Sequence, residues 1–270
     1  MRPLVLTLRA RPEQRLDLSP LVPHRLAAMT AAEIAHIELQ TTRTRVAVGD
    51  VFRLRIGDVD HIRIEGACDR LDRIGEAMTG GEIVVEGDVG VQAGRLMAGG
   101  QLIVRGNAGP WAASGMRGGE LRISGNADER LGGPLAGETA GMRGGIVVVG
   151  GHVGERAGDR MRRGTIIVEG GAGRYAGCRM IAGTLVVRRK AGALPGYLMR
   201  RGTIVLGDGA EQLSPTFVDC GVHELLAVKL MAAFVHSYSP RLAPVFRHPL
   251  RRFAGDMAAL GKGEILCVNN

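Results

Sequence analysis

Apolar and polar positions repeat with a period of 19 residues from Met78 to about Gly207. Each unit reads Met-x-x-Gly, then a short aliphatic run, then spaced glycines. The interval after Met116 is 26 residues instead of 19, so we expect the extra residues, near 133–140, to form a bulged loop. Clean units begin at seven methionines: Met78, Met97, Met116, Met142, Met161, Met180 and Met199.

Two positions in every unit carry only aliphatic side chains. The first lies five residues after the methionine and holds Ile83, Leu102, Leu121, Val147, Ile166, Leu185 and Ile204. The second lies seven residues after it and holds Val85, Val104, Ile123, Val149, Val168, Val187 and Leu206. Residues two apart point to the same face of a strand, so both positions should face a core. We expect the methionines to point inward too, as flexible filler.

A period near 20 residues, with one strand and glycine corners per unit, is typical of solenoid proteins. The sequence therefore predicts an all-β fold, a parallel β-helix of about seven to eight coils with glycine-rich repeats. The predicted boundaries are an N-terminal extension at 1–45, the β-helix at 46–210, and a C-terminal helix and docking segment at 211–270.

The segment after the repeat contains one helical pattern. The stretch from His223 to Ser237 is rich in leucine, valine and other apolar residues at helical spacing, which predicts an amphipathic helix. Asp219 is a candidate N-cap, and Pro240 lies beyond the predicted end. Such a helix commonly covers an exposed end or flank of a solenoid.

Charge and composition limit the partners. The formal net charge is +8, and only three of the 35 basic residues are lysines. This balance favours anionic partners, but nucleic acid is disfavoured because aromatic residues make up only 3% of the chain and no binding module is visible. The N-terminus does not read as a signal peptide, and no apolar run reaches membrane-spanning length. We therefore expect a cytoplasmic protein that binds neither nucleic acid nor membrane.

The sequence offers no set of residues that could carry catalysis. The segment from Gly255 to Lys262 lacks the spacing of a phosphate-binding loop. The histidines are scattered without metal-ligand spacing, and no serine elbow is present. His152 stands at a corner where other units have Asp88, Asn107 and Asn126, so we predict a turn role for it. We expect this chain to contribute no catalytic residue and no metal ligand.

A third repeat position is apolar on the outer face of the predicted strands. We call it the outer stripe. An apolar stripe of this length on a surface is normally covered. Two coverings fit the pattern: the chain's own terminal segments, or a permanent partner that uses the stripe as its interface. The position lies six residues after the methionine, is interrupted only by Arg122, and holds Val84, Ile103, Val148, Ile167, Val186 and Val205.

Basic residues collect just after the methionines, in what we call the arginine row. Stacked units would bring neighbouring guanidinium groups to about 5 Å, where they repel by roughly 1 kcal/mol in water. These residues are either solvated corner arginines or a surface that binds a polyanion. The row consists of Arg117, Arg143, Arg162, Arg163, Arg200 and Arg201.

The repeat, written Met-x-Gly-Gly-x-Ile-x-Val-x-Gly-Asn/Asp-x-Gly, resembles the C subunit of formylmethanofuran dehydrogenase. It is also similar to the C-terminal β-helix domain of the glutamate synthase large subunit. Val48-Gly-Asp-Val-Phe52 before the repeat and Gly255-Asp-Met-Ala-Ala-Leu-Gly-Lys-Gly-Glu-Ile-Leu266 after it look like the frame of the C subunit. The family has an archaeal branch, in molybdenum or tungsten formylmethanofuran dehydrogenases, and a bacterial branch, in the formyltransferase/hydrolase complex. The arginine- and alanine-rich composition favours the bacterial branch.

The resemblance implies a right-handed β-helix in a non-catalytic scaffold subunit. The bacterial complex converts formyl-tetrahydromethanopterin to formate through a methanofuran-type carrier, in one-carbon (formaldehyde) oxidation. Its sibling subunits would be an amidohydrolase-like subunit with a dinuclear metal centre, a formyltransferase and a further dehydrogenase-like subunit. The carrier's glutamate-rich tail would be the anion for the arginine row.

Three rival functions stand beside this one. The chain could be the C subunit of a molybdenum or tungsten formylmethanofuran dehydrogenase, or a glutamate synthase-like structural domain. A rival from the enzyme class is a β-helix carbohydrate lyase, which predicts secretion and a groove of carboxylates. The sequence has neither feature, so we expect a scaffold.

Overall fold

The computed structural model describes residues 2–41, 44–247 and 249–268. The strands before the repeat are β1 (Pro3–Leu8), β2 (Leu16–Asp17), β3 (Glu38–Thr41), β4 (Val46–Ala47), β5 (Phe52–Arg55), β6 (Asp58–Ala67) and β7 (Leu71–Asp72). Three short helices lie among them: α1 (Pro23–Leu26), α2 (Ala31–His36) and α3 (Val48–Val51). A capping box opens α2, because the Glu33 N–H donates to the Thr30 hydroxyl while the Thr30 N–H donates to the Glu33 carboxylate.

Each unit of the repeat supplies one strand. These strands pair in parallel in sequence order, and equivalent positions face each other, as Ile83 faces Leu102. A second line of parallel bridges joins corner residues from Val89 to Ala210. Residues 130–142, within the longer unit, lie outside helices and strands, as predicted. The strands are β8 (Glu82–Gly87), β9 (Gln101–Val104), β10 (Glu120–Ile123), β11 (Arg143–Val149), β12 (Arg163–Val168), β13 (Thr184–Val187) and β14 (Arg201–Leu206).

The repeat builds the core, as its periodicity predicts. Every residue at the two aliphatic positions is at most 2% exposed, and all seven methionines are fully buried. Each fully buried aliphatic side chain contributes about 1.5–3 kcal/mol. The glycine three residues after the methionine has positive φ, as at Gly100 with φ 78°. A Cβ there would lie 2.6 Å from the Gly81 carbonyl oxygen, so only glycine fits this turn.

The C-terminal segment continues the sheet and then crosses its outer face. Its elements are β15 (Val218–His223), α4 (Leu226–Tyr238), a 3-10 helix (Pro240–Phe246), β16 (Leu250–Gly255) and β17 (Lys262–Val268). β17 pairs in parallel with β14, so that Ile265 faces Ile204. The predicted cap is wrong: α4 starts after Leu225, and Asp219 instead lies on β15 and accepts hydrogen bonds from Arg251.

The predicted all-β, right-handed parallel β-helix of seven to eight coils is wrong. The described residues form a mixed 13-stranded sheet, a four-stranded sheet and helices. Antiparallel pairs join β5 to β1, β15 to β16 and β16 to β17. The repeat accounts only for the parallel middle of the sheet. The strands at the two edges of this parallel part would present unpaired N–H and C=O groups. The flanking segments supply further strands at both edges, some parallel and some antiparallel. The orders are β15-β16-β17-β14-β13-β12-β11-β10-β9-β8-β6-β1-β5 and β4-β3-β2-β7.

The N-terminal segment belongs to the same sheet. β1 lies between β6 and β5 and pairs with both. One hydrophobic cluster runs from Leu4, through the repeat, to Cys267. The boundaries at residues 45 and 210 stay predictions.

Candidate docking and anion-binding surfaces

The arginine row follows the corner just after the methionines. Each residue at this corner donates its backbone N–H to the methionine carbonyl one unit earlier, at 2.7 Å for Arg143 and 2.8 Å for Arg162. The same bond recurs at Arg117, Ile181 and Arg200. A main-chain ladder therefore holds four arginines in line, with Ile181 as the one interruption before Arg200.

A second line of cations runs beside the first. Arg163 lies opposite Arg143 in the pairing of β11 with β12, and Arg201 lies opposite Lys262 in the pairing of β14 with β17. All six arginines of the row and Lys262 are exposed. Lys262 lies on the C-terminal strand, outside the 19-residue spacing, but Lys262-Gly-Glu-Ile265 has the pattern of Arg201-Gly-Thr-Ile204 with which it pairs.

The charge of the row is largely uncompensated. Within residues 2–41, 44–247 and 249–268, no ion pair involves any of its six arginines, whereas Arg252 binds Glu264 at 2.8 Å. The pKa of Glu138 lies below its usual value, mainly because Arg95 donates a hydrogen bond to it and partly because of the charge on Arg143. Such a surface attracts anions.

The chain itself covers four of the six residues of the outer stripe. Val148 is 5% exposed, and Ile167, Val186 and Val205 are fully buried. The C-terminal segment, rather than a partner, provides this cover in the structure. The covering side chains are Val235 of α4 and Leu242 and Val245 of the 3-10 helix. Leu266 extends the stripe onto β17 opposite Val205, and Leu250 of β16 joins the same cluster.

The other two residues of the outer stripe lie outside that cluster. Val84 on β8 and Ile103 on β9 are half-buried. Arg122 breaks the stripe beside the end of α4. Its guanidinium donates to the Tyr238 carbonyl at 3.2 Å and lies 6.0 Å from the centre of the Tyr238 ring. Contact of a partner with Val84 and Ile103 stays a prediction.

The covering segment presents an apolar face of its own, which the periodicity of the repeat did not predict. On α4, Leu226, Leu230 and Phe234 are 72%, 66% and 42% exposed. Their spacing of four residues places them on one side of the helix. The signal was present in the sequence, because Lys229 is the only residue of α4 with a permanent charge. We call these three side chains the α4 face.

A side-chain ladder runs along another corner. The backbone N–H of Asn126 donates to Asn107 Oδ1 at 2.8 Å, and that of His152 donates to Asn126 Oδ1 at 2.8 Å. The Gly171 N–H then donates to His152 Nδ1 at 3.0 Å. His152 Nδ1 thus supplies the acceptor that the asparagine Oδ1 supplies at the corners of the preceding units. The predicted turn role of His152 is confirmed.

The described residues contain no cluster of three or more His, Cys, Asp or Glu side chains placed to hold a metal ion. Two of the thiols are buried. Burial raises the pKa of the Cys178 thiol to about 12 and that of Cys267 to about 11. Thiols that stay protonated at neutral pH are poor nucleophiles.

Among the described helices, none is both long enough and apolar enough to cross a membrane.

No protein-family model matches the chain. It is 51% identical over 261 residues to the C subunit of the formyltransferase/hydrolase complex Fhc from Methylorubrum extorquens, which covers 96% of this chain and 98% of that protein. The C subunit of tungsten-containing formylmethanofuran dehydrogenase 2 from Methanococcus maripaludis is 34% identical over 93 residues, 34% of each chain.

The fold has a counterpart among solved structures. The crystal structure of the formyltransferase/hydrolase complex FhcABCD from Methylorubrum extorquens, with methylofuran, contains a chain that is 42% identical to this one. The two superpose with a TM-score of 0.93 over 98% of this chain and 100% of that chain. The resemblance inferred from the repeat and its flanks is therefore confirmed. The chain belongs to the family formed by the C subunits of formyltransferase/hydrolase complexes.

Proposed function

We propose that this chain is the scaffold subunit of a formyltransferase/hydrolase complex, which converts formyl-tetrahydromethanopterin to formate through a formylated methanofuran-type carrier. The observation that supports this proposal is the match of 98% of the chain, at a TM-score of 0.93, to a chain of that complex. Likeness to the tungsten enzymes extends over at most 35% of the chain, which favours the bacterial branch.

In this proposal the chemistry belongs to sibling subunits: an amidohydrolase-like subunit with a dinuclear metal centre, a formyltransferase and a dehydrogenase-like subunit. The described part of this chain has no ligand set that fits such a metal centre. Its own contribution is a rigid surface. In-register pairing and a fully buried methionine line fix the outward side chains of successive units relative to one another.

The α4 face is the proposed docking site for a sibling subunit, with Val84 and Ile103 as further contacts. Exposed apolar side chains at helical spacing are usually covered in an assembly. The test is affinity purification of the tagged chain from its host. Leu230→Glu should lose sibling subunits, whereas Ile56→Glu, at another exposed apolar side chain, should retain them. Full recovery of the siblings with Leu230→Glu would remove the α4 face from the proposal.

The arginine row is the proposed contact for the anionic, glutamate-rich tail of the carrier. Its support is the alignment of exposed arginines, none of which forms an ion pair with a described carboxylate. Arg143→Glu with Arg162→Glu should weaken the binding of an oligoglutamate at least about tenfold and lower its salt dependence. Arg53→Glu with Arg55→Glu, both exposed on β5 and outside the row, is the control with the same change in net charge. Equal affinity in the two variants would contradict the assignment.

A further inference from the structure

An open cavity of about 450 Å³ lies beside the arginine row. It is formed by the turns before and after the methionines of the last units, and by the loop that precedes β17. Its lining combines positive charge with aliphatic surface. Arg160, Arg179 and Arg200 carry the charge, and Ile181, Leu198 and Leu260 line the aliphatic side.

The turn backbone fixes the positions from which two of these arginine side chains extend. Arg160 and Arg179 occupy the same position in consecutive units, and both have left-handed backbone, with φ 49° and 52°. Their N–H groups donate to the carbonyls of Cys178 and Tyr197 in the following unit, at 3.0 and 2.7 Å. Non-glycine residues adopt this conformation uncommonly. The two main-chain hydrogen bonds hold both arginines in it and so fix where their side chains begin.

Hydrogen bonds then orient the two guanidinium groups differently. Arg179 Nε donates to Asp159 Oδ1 at 3.0 Å, and its Nη2 donates to Oδ2 of the same carboxylate, whose side chain is 1% exposed. Arg160 Nη1 donates to the Glu138 carbonyl at 3.1 Å. A carbonyl bond orients the Arg160 guanidinium and leaves its charge uncompensated.

The cavity carries a net positive charge. Arg200 forms no ion pair with any carboxylate of the described residues. The Glu138 carboxylate is engaged elsewhere, because it accepts from Arg95 at 2.7 Å and from the Leu135 N–H at 2.9 Å. Two buried carboxylates, Asp159 and Asp256, lie at this cavity, and three guanidinium groups still leave a net positive charge. The Asp256 oxygens already accept from the N–H groups of Leu198 and Ala258, both at 2.8 Å.

We propose that this cavity binds the carboxylate of a small organic acid of about the size of glutarate. A planar guanidinium matches a carboxylate with two parallel hydrogen bonds. The aliphatic wall offers contact to methylene groups, which inorganic phosphate lacks. Arg200 belongs to the arginine row as well, but Arg160, Arg179 and the aliphatic wall lie outside the row. The site therefore goes beyond the proposed function, because it requires neither the α4 face nor a carrier tail.

The test is calorimetric titration of the full chain with glutarate and, separately, with inorganic phosphate. Glutarate should bind more tightly than phosphate. Arg200→Gln should weaken glutarate at least about tenfold, as expected for the loss of one charge-assisted pair. Arg55→Gln, on β5 and outside both the cavity and the arginine row, should change the affinity by less than about twofold.

A second variant acts on the aliphatic wall. Leu260→Asp, at a side chain that is 47% exposed, adds a negative charge to the cavity without disturbing the core. It should abolish glutarate binding while the unfolding temperature stays near that of the parent. Three results would each overturn the proposal: no glutarate binding to the parent at millimolar concentration, phosphate binding as tight as glutarate binding, or equal losses in Arg200→Gln and Arg55→Gln.

Discussion

Two isoleucines at the same repeat position test whether the C-terminal segment truly covers the outer stripe. Ile167 and Ile103 both lie six residues after a methionine, on the outward side of a parallel strand. Ile167 is fully buried beneath the C-terminal segment, whereas Ile103 is half-buried outside that cluster. The substitutions Ile167→Ala and Ile103→Ala remove the same three carbons from equivalent strands.

The structure predicts different costs for the two substitutions. Three buried carbons at about 0.8 kcal/mol each give about 2.4 kcal/mol of lost transfer free energy at Ile167. The space left between the sheet and the C-terminal segment adds to this, so Ile167→Ala should lower the free energy of unfolding by about 3–4 kcal/mol. Ile103→Ala leaves no enclosed cavity and should cost about 1 kcal/mol.

The assay is urea unfolding of the isolated chain followed by circular dichroism, with the free energy obtained by linear extrapolation. Both proteins should show the same dependence on urea, because neither substitution changes the surface exposed on unfolding by much. Equal losses, or a larger loss for Ile103→Ala, would refute the covering role of the C-terminal segment. In the assembled complex, Ile103→Ala should release sibling subunits more readily than Ile167→Ala does, since of the two side chains only Ile103 lies outside the covered cluster.

Three further predictions concern single side chains. His152→Ala should lower stability by about 1 kcal/mol, because it leaves a backbone N–H of the ladder without its acceptor, whereas His152→Asn should restore it; thermal unfolding compares the two. Cys178, whose pKa is raised to about 12 by burial, should resist iodoacetamide at pH 8 while the less buried Cys220 reacts, as measured by mass spectrometry of native protein. Glu138 has a folded-state pKa lowered first by its hydrogen bond from Arg95, so its contribution is present above its ordinary pKa of 4.5 and is lost as pH falls below it. The stability difference between the parent and Glu138→Gln, followed by urea unfolding from pH 7 to pH 3, should therefore shrink with acid.

The repetitive part of the fold could be read from the sequence because one physical constraint recurs in every unit. The inward positions of Ile83 and Val85 return every 19 residues, and each return is buried and paired in parallel with the next. The glycine that must take positive φ returns with the same period. A constraint repeated in seven units is visible in a single chain.

The strand pairings of the flanking segments could not be predicted in this way, because each of them occurs only once in the chain. β17 pairs in parallel with β14 although the residues from Lys262 to Val268 share no period with the repeat. β1 likewise pairs with β6 once, from the start of the chain. The antiparallel pairs of β1 with β5, β15 with β16 and β16 with β17 turned the expected parallel architecture into a mixed sheet.

The candidate surfaces also divide into features that the repeat predicts and features that only the C-terminal segment supplies. The arginine row was visible as a column, and the structure places its members along one corner. Lys262 and the cavity formed with Leu260 come from the C-terminal segment and were invisible to periodicity. Amphipathic spacing predicts one buried side of the helix and does not reveal that Leu226, Leu230 and Phe234 stay exposed on another.

We propose that this chain assembles the complex and that its sibling subunits perform the chemistry. The most direct measurement is formate production from formyl-tetrahydromethanopterin by the sibling subunits, expressed with and without this chain. We predict that activity and co-elution of the siblings are lost without the chain and return when it is co-expressed, and that the purified chain alone produces no formate. Full activity of the siblings in its absence, or formate production by the chain alone, would contradict the account.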